Sequence, residues 1–207
     1  MKVLVIGKGG REHAIAHAVS KSKKVTAVYA APGNPGMKQI ATNVNISDSD
    51  VEGLVAFAKE NQIDFWEGKG VCHQVMMENY VRPGELIFGA DSHTCSYGAL
   101  GAFGTGVGCT DFLYGMVTGT SWVLVPETVK FNLIGRLPEG VYARDLILTI
   151  IGKIGANGAN YKAMEFAGEG LKTLTMSDRI AICNLCVEAG AKTALMEVDD
   201  IALHYLH

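Results

Sequence analysis

Asp91-Ser92-His93-Thr94-Cys95 places a carboxylate, two hydroxyls, an imidazole and a thiol in one short run. Such groups can move protons or attack carbon, and the order Asp, Ser, His suggests a hydrolase triad. Consecutive residues of an extended chain point to opposite faces, so three neighbours cannot build the Ser–His–Asp relay among themselves. The alternative to the triad is a His93 satisfied by local hydrogen bonds. Cys183-x-x-Cys186 is half of a four-thiolate zinc site, in a chain whose five cysteines are Cys72, Cys95, Cys109, Cys183 and Cys186. Their odd number and uneven spread do not suit a secreted disulfide framework, so reduced thiols are expected. The third chemical feature is the turn Gly7-Lys8-Gly9-Gly10-Arg11. A glycine turn between a strand and a helix offers backbone N–H groups to a phosphate or carboxylate at the positive end of the helix dipole. It is a poor dinucleotide fingerprint, because Glu12 stands where the third glycine belongs and the next strand ends Ala30-Ala31-Pro32 with no acid for a ribose. An anion site at Gly9, Gly10, Arg11 and Glu12 and a purely structural turn are both compatible with this pattern.

The elements that must position these groups alternate between strand and helix. Lys2 to Ile6 has a buried-strand pattern, and Arg11 to Ser20 carries Ala14, Ile15, Ala18 and Val19 at helical spacing. Val25 to Ala30 and Asn43 to Ile46 read as strands, and Ser47 with Asp50 opens a helix whose apolar face is Val51, Leu54, Val55 and Ala58. A further strand pattern starting at Gln62 to Phe65 is interrupted by Trp66-Glu67-Gly68-Lys69-Gly70. Beyond it the pattern predicts a helix over Val71 to Asn79, a buried strand over Glu85 to Ala90 and dense glycines over Gly98 to Gly108. Strands follow at Ser121 to Val125 and Glu127 to Ile134, then a helix at Ala143 to Ile154. Ser177 and Asp178 are expected to cap a helix running through Glu188, ended by Gly190, with a last strand over Lys192 to Glu197. Asp91 thus follows directly on a strand, where parallel sheets place their ligand sites.

With 207 residues, 48% hydrophobic, 19% charged and 25 glycines, the chain can bury a sizeable core and is neither disordered nor collagen-like. A net charge of -3 and the lack of a basic stripe give no reason to expect a nucleic acid or an anionic membrane as partner. No apolar run is long enough to cross a bilayer and the amino terminus does not read as a signal peptide, so a cytoplasmic chain is expected.

Two resemblances sharpen the reading. Val3-Leu4-Val5-Ile6-Gly7-Lys8-Gly9-Gly10-Arg11-Glu12-His13-Ala14, with Ala31-Pro32-Gly33-Asn34 and Val55-Ala56-Phe57-Ala58, resembles the start of phosphoribosylamine–glycine ligase over residues 1 to about 64. The departure is Lys8, where that family more often has asparagine. The resemblance implies that Gly9, Gly10, Arg11 and Glu12 line a phosphoribosylamine-binding side. It also implies that ligase activity is not to be expected, since the family's ATP-grasp domains do not follow.

Gly70-Val71-Cys72-His73-Gln74-Val75, the Asp91 to Cys95 run and Gly98-Ala99-Leu100-Gly101-Ala102-Phe103-Gly104-Thr105-Gly106 resemble the large subunit of 3-isopropylmalate dehydratase, of the aconitase superfamily. Val125-Pro126-Glu127-Thr128, Lys162 to Gly168 and Cys183-Asn184 through Glu188 extend the resemblance over about Phe65 to Asp199. It implies that His73, Asp91, Ser92 and His93 position substrate and shuttle protons. Asn184 and Glu188 would join them from one face of a helix, being one helical turn apart. The family removes and re-adds water on a hydroxy-acid with a 4Fe-4S cluster held by cysteine thiolates. Its ligands lie in a Ser-Cys-Thr-Asn segment and a later Cys-x-x-Cys that nothing here matches, so no cofactor and no metal are expected, and Cys183 is expected in the core.

The leading expectation is therefore an engineered chimera joined near Asp64 to Trp66: residues 1–64 ligase-like, residues 65–207 dehydratase-like. Its fold class is α/β, three-layer αβα, with a mostly parallel sheet assembled from the two fragments, or two loosely joined subdomains as the alternative. Such a chain is expected to lack turnover and to bind at most small hydroxy-acid or phosphate anions. A residual hydro-lyase is the alternative function. Faces built to be covered by absent domains are expected to drive self-association.

Overall fold

The structure is a computed structural model that describes residues 1–66 and 68–206. In chain order the elements begin with β1 (Lys2–Gly7), α1 (Gly10–Ser20), β2 (Ala27–Pro32), β3 (Thr42–Asn43) and α2 (Val51–Glu60). They continue with α3 (Cys72–Asn79), β4 (Leu86–Gly89), a 3-10 helix (Ser92–Leu100), β5 (Phe103–Gly106) and α4 (Cys109–Thr118). The remainder comprises β6 (Thr128–Asn132), α5 (Ala143–Ile154), β7 (Ala163–Ala167), α6 (Met176–Leu185), β8 (Thr193–Met196) and α7 (Asp200–Tyr205). Every strand pairing is parallel, which makes the chain an α/β protein consistent with layered α/β packing. Among the described residues no helix is long and apolar enough to cross a membrane.

The chain divides into two compact units. One comprises Met1–Lys69 with Cys109–Trp122, the other Gly70–Gly108 with the chain from Val123 on. The first holds the sheet β1-β2-β3 in simple order, Val5 pairing with Ala30 and Val3 with Val28. Its small core joins Val5 and Val28 to Ala16 and Val19, the inward face of α1. The Asp50 carboxylate caps α2 by accepting the N–H of Gly53.

In the second unit the strands form two sheets, β4-β5 and β6-β7-β8. Among the described residues the strands therefore lie in three sheets where the sequence suggested one. The glycines show what separates the two in this unit: the 3-10 helix 92–100 lies against the backbones of both. A Cβ on Gly98 would run into the carbonyl of Ala194 in β8, and one on Gly106 would sit 2.8 Å from the Asp91 carbonyl oxygen. The large core of this unit gathers Leu100, Ile147, Met164, Phe166, Leu171 and Ile182, with Phe131 stacked on Phe166 at 5.3 Å. Inside it Arg179, fully buried, makes a two-pronged bond to Asp199 at 2.7 and 2.6 Å and donates to the Leu171 carbonyl at 3.0 Å.

Several expected elements differ. Residues 62–65 and 121–125 are not strands, because β-forming residues without a neighbouring strand have nothing to pair with. Glu67, within the interrupting run, lies outside the described residues. Leu86 of β4 is 59% exposed, since that strand is covered by β5 on one side only. Helix α6 is capped two residues earlier than expected, by Thr175 in a reciprocal box with Asp178. It stops at Leu185, and a 3-10 turn over Cys186–Ala189 leads to Gly190, whose φ of 82° only glycine adopts cheaply.

Candidate functional site

The Asp91 to Cys95 run lies at the start of the 3-10 helix because Asp91 is its cap. One carboxylate oxygen, Oδ1, accepts the N–H of His93 at 2.8 Å, a short polar residue tying down the backbone two positions ahead. The turn is held by further side chains: the Thr94 hydroxyl donates to the Asp91 carbonyl at 2.6 Å and the Ser96 hydroxyl to the His93 carbonyl at 2.7 Å. Gly104 and Gly106 in β5 leave room for this backbone, and Gly104 admits the Tyr97 side chain, whose Cβ and Cδ2 would each be 3.1 Å from an added methyl.

His73, in the first turn of α3, completes the cluster. Its Nε2 lies 2.9 Å from the same Asp91 Oδ1 and its Nδ1 lies 3.1 Å from the Tyr97 hydroxyl. The His73 side chain is 16% exposed and that of Asp91 57%, so the pair opens to solvent on the carboxylate side. The hydrogen bond from His73, then the His93 N–H, hold the Asp91 carboxyl below the usual carboxylate range despite a small opposing effect of burial. An ionised Asp91 accepts only, so Nε2 of His73 carries the proton. Among the described residues Oδ2 of Asp91 has no partner.

His93 turns its Nδ1 to the Asn184 carbonyl at 3.3 Å, and a nitrogen facing a carbonyl must be the protonated one. That leaves Nε2 with its lone pair for a ligand. The Asn184 side-chain amide donates to Ser96 Oγ at 3.0 Å, so α6 is fastened to the 3-10 helix on both sides of this residue. Beside Asn184 a cleft of about 490 Å³ opens, lined also by Gln74, Arg144, Ser177 and Tyr205.

The structure thus gathers His73, Asp91, His93 and Asn184. Ser92 sits exposed next to Asp91. Glu188 lies beyond the end of α6, in the 3-10 turn that starts at Cys186, and is exposed. Sequence reading missed Tyr97 and Ser96; their only signal was a polar, aromatic stretch preceding the glycine run.

The amino-terminal turn is a separate feature. Glu12 Oε2 accepts the N–H of Gly9 at 2.9 Å, and its side chain lies over Gly7, so the protein's own carboxylate occupies the start of α1. Gly10 and Arg11 are exposed.

The cysteines are poorly suited to be cluster ligands. Cys95, Cys183 and Cys186 are fully buried, and Cys95 spends its thiol proton on the Cys183 carbonyl at 3.2 Å. Burial pushes the Cys95 thiol up to about 12 and raises those of Cys183 and Cys186 as well, which opposes the thiolate form that iron requires. Cys72 and Cys109 are exposed, one in each unit. Among the described residues no group of three or more His, Cys, Asp or Glu could hold a metal ion. The cysteines of this chain do not fit an iron–sulfur cluster.

A model of the aconitase family (aconitate hydratase) matches residues 8–207. That match takes in nearly all of the segment whose motifs resemble the ligase family. The chain is 44% identical over 179 residues to a 3-isopropylmalate dehydratase large subunit of Archaeoglobus fulgidus, covering 86% of this chain and 39% of that protein. It is 55% identical over 153 residues to the corresponding protein of Helicobacter hepaticus, 72% and 36% of the two chains, and 49% identical over 153 residues to that of Methanopyrus kandleri, 72% and 37%. The chain thus spans under two fifths of the length of these relatives.

Proposed function

The chain belongs to the aconitase family, and we propose that it carries the acid–base portion of a hydro-lyase site for a small hydroxy-acid of the 3-isopropylmalate type, without turnover of its own. One observation carries this reading. His73, Asp91, His93 and Asn184, brought from three separate segments, are linked by hydrogen bonds that, among the described residues, leave Oδ2 of Asp91 and Nε2 of His93 unspent. Removing water from a hydroxy-acid needs a group that delivers a proton to the departing hydroxyl. In this reading Nε2 of His93 first takes up a proton on its lone pair and then delivers it to the departing hydroxyl, the proton lost from the neighbouring carbon passing to solvent, while Oδ2 of Asp91 accepts a hydrogen bond from the substrate hydroxyl and orients it. Asn184 fixes the His93 ring through its carbonyl, and Ser92 offers a hydroxyl to a substrate carboxylate. No step passes through an iron–sulfur cluster, because the cysteines do not suit one.

The test is a titration of the chain with 3-isopropylmalate followed by NMR. Saturable shifts at the His93 and His73 imidazoles, lost in Asp91→Ala, are expected. A flat titration in the unmutated chain refutes the reading. Absence of turnover is checked by following isopropylmaleate absorbance, which is expected to stay constant.

A second reading concerns the amino-terminal 64 residues. The Gly7 to Ala14 motif is the one observation that favours a ligase-like segment joined to the dehydratase-like one. Amplification of source DNA across the codons for Asp64 to Trp66 tests this. One continuous genomic reading frame would sink an engineered junction.

A further inference from the structure

We infer that Tyr97 is a positioning residue of this site, its hydroxyl donating to Nδ1 of His73 and fixing that ring as the Nε2–H tautomer that holds Oδ1 of Asp91. The inference deepens the functional reading above and rests on it for its purpose. Its geometry stands on four links. Tyr97 is 4% exposed, within the core, and Gly104 leaves its side chain the space it occupies. It meets the His73 ring edge-on at 5.6 Å between centroids and 62° between planes, which aims the phenol at the imidazole edge. Its oxygen is 3.1 Å from Nδ1, and His73 Nε2 is 2.9 Å from Asp91.

The direction of each bond follows from what each end can do. Asp91 is ionised and can only accept, so the Nε2 proton points at it. In a neutral ring Nδ1 then has a lone pair and needs a donor, and the phenol supplies one. Burial pushes the Tyr97 hydroxyl up to about 12, with the nearby Cys72 and Asp91 adding to the effect, so it keeps its proton wherever the chain is folded. Among the described residues the Tyr97 hydroxyl has no other partner. Without the phenol, Nδ1 loses the one hydrogen bond it makes among the described residues, and the ring is free to turn over and release Asp91 Oδ1.

The test is imidazole nitrogen NMR on the full chain, with His73→Gln to identify the resonances. The unmutated chain is expected to show His73 as the Nε2–H tautomer, with Nδ1 unprotonated and shifted as a hydrogen-bond acceptor. Tyr97→Phe keeps the ring and removes the hydroxyl. It should move the Nδ1 resonance towards that of an unbonded nitrogen while the fold, read by circular dichroism, is retained. An Nδ1–H tautomer in the unmutated chain overturns the inference even if the variant fails to fold. So does an unmoved Nδ1 resonance in a folded Tyr97→Phe. No ligand enters this experiment, so its outcome is independent of the isopropylmalate titration.

Discussion

Replacing Gly98 by alanine adds one methyl where the 3-10 helix crosses β8. Gly98 does not have a positive φ, so the substitution probes space alone. The added carbon would overlap the carbonyl group of Ala194 and stand 3.2 Å from the Leu195 nitrogen. These are main-chain atoms of a paired strand, and no rotamer change can clear them. Overpacking of this kind costs about 1–3 kcal/mol, or more where backbone must move. Alanine recovers at most about 1 kcal/mol through its helical preference over glycine. A net loss of about 2 kcal/mol lowers the melting temperature by roughly 4–8 °C for a chain of this size. Gly152 in α5 provides the contrast, since nothing lies within 4 Å of a methyl there. Gly152→Ala should raise the melting temperature by about 1–4 °C, from about 0.5–1 kcal/mol of helix preference. Calorimetry on both variants and the unmutated chain reads the difference. A Gly98→Ala transition at or above that of the unmutated chain would refute the claim that backbone contact seats the site-bearing helix.

Arg179→Met removes the buried guanidinium and leaves the Asp199 carboxylate and the Leu171 carbonyl without their donor. Breaking one side of a buried pair costs about 3–5 kcal/mol, so melting should fall by roughly 10 °C. The bond from Arg179 also holds the Asp199 carboxyl below its ordinary value. The stability this confers is fully present above the unfolded value near ~3.9 and is lost as pH falls through the lower folded value. Melting followed down through acid pH should therefore fall less steeply for Asp199→Asn than for the unmutated chain. Among the cysteines, Cys72 and Cys109 should react with iodoacetamide in the folded chain. Cys95, Cys183 and Cys186 should be labelled only after denaturation, as mass spectrometry of the modified peptides would show.

How much of this was legible in the sequence depends on the kind of contact. The Ala143–Ile154 helix and the start of α1 follow from local periodicity and appear as expected. The strand over 121–125 failed because strand formation depends on a partner that local composition does not reveal. In the site, the Asp91 cap is local and readable. The Tyr97 hydroxyl meeting His73 is not, because it depends on α3 being laid against the 3-10 helix from another part of the chain. For Glu188 the limit is the helix itself: i to i+4 spacing holds only while the helix stays α, and the 3-10 tightening after Leu185 was not written in any residue type.

The bonds that fasten Asn184 to Ser96 and His93 close sequence separations of 88 and 91 residues. Contacts of that span, together with parallel strand pairing, carry a large loop-closure cost and slow folding. Local helices such as α5 can form early, whereas the Asn184 links can close only once both ends of a long loop have been brought together. Helical signal by circular dichroism should therefore recover in refolding ahead of the His93 and Ser96 resonances. The geometry of the site is in this sense a clock, marking the end of folding more strictly than secondary structure does.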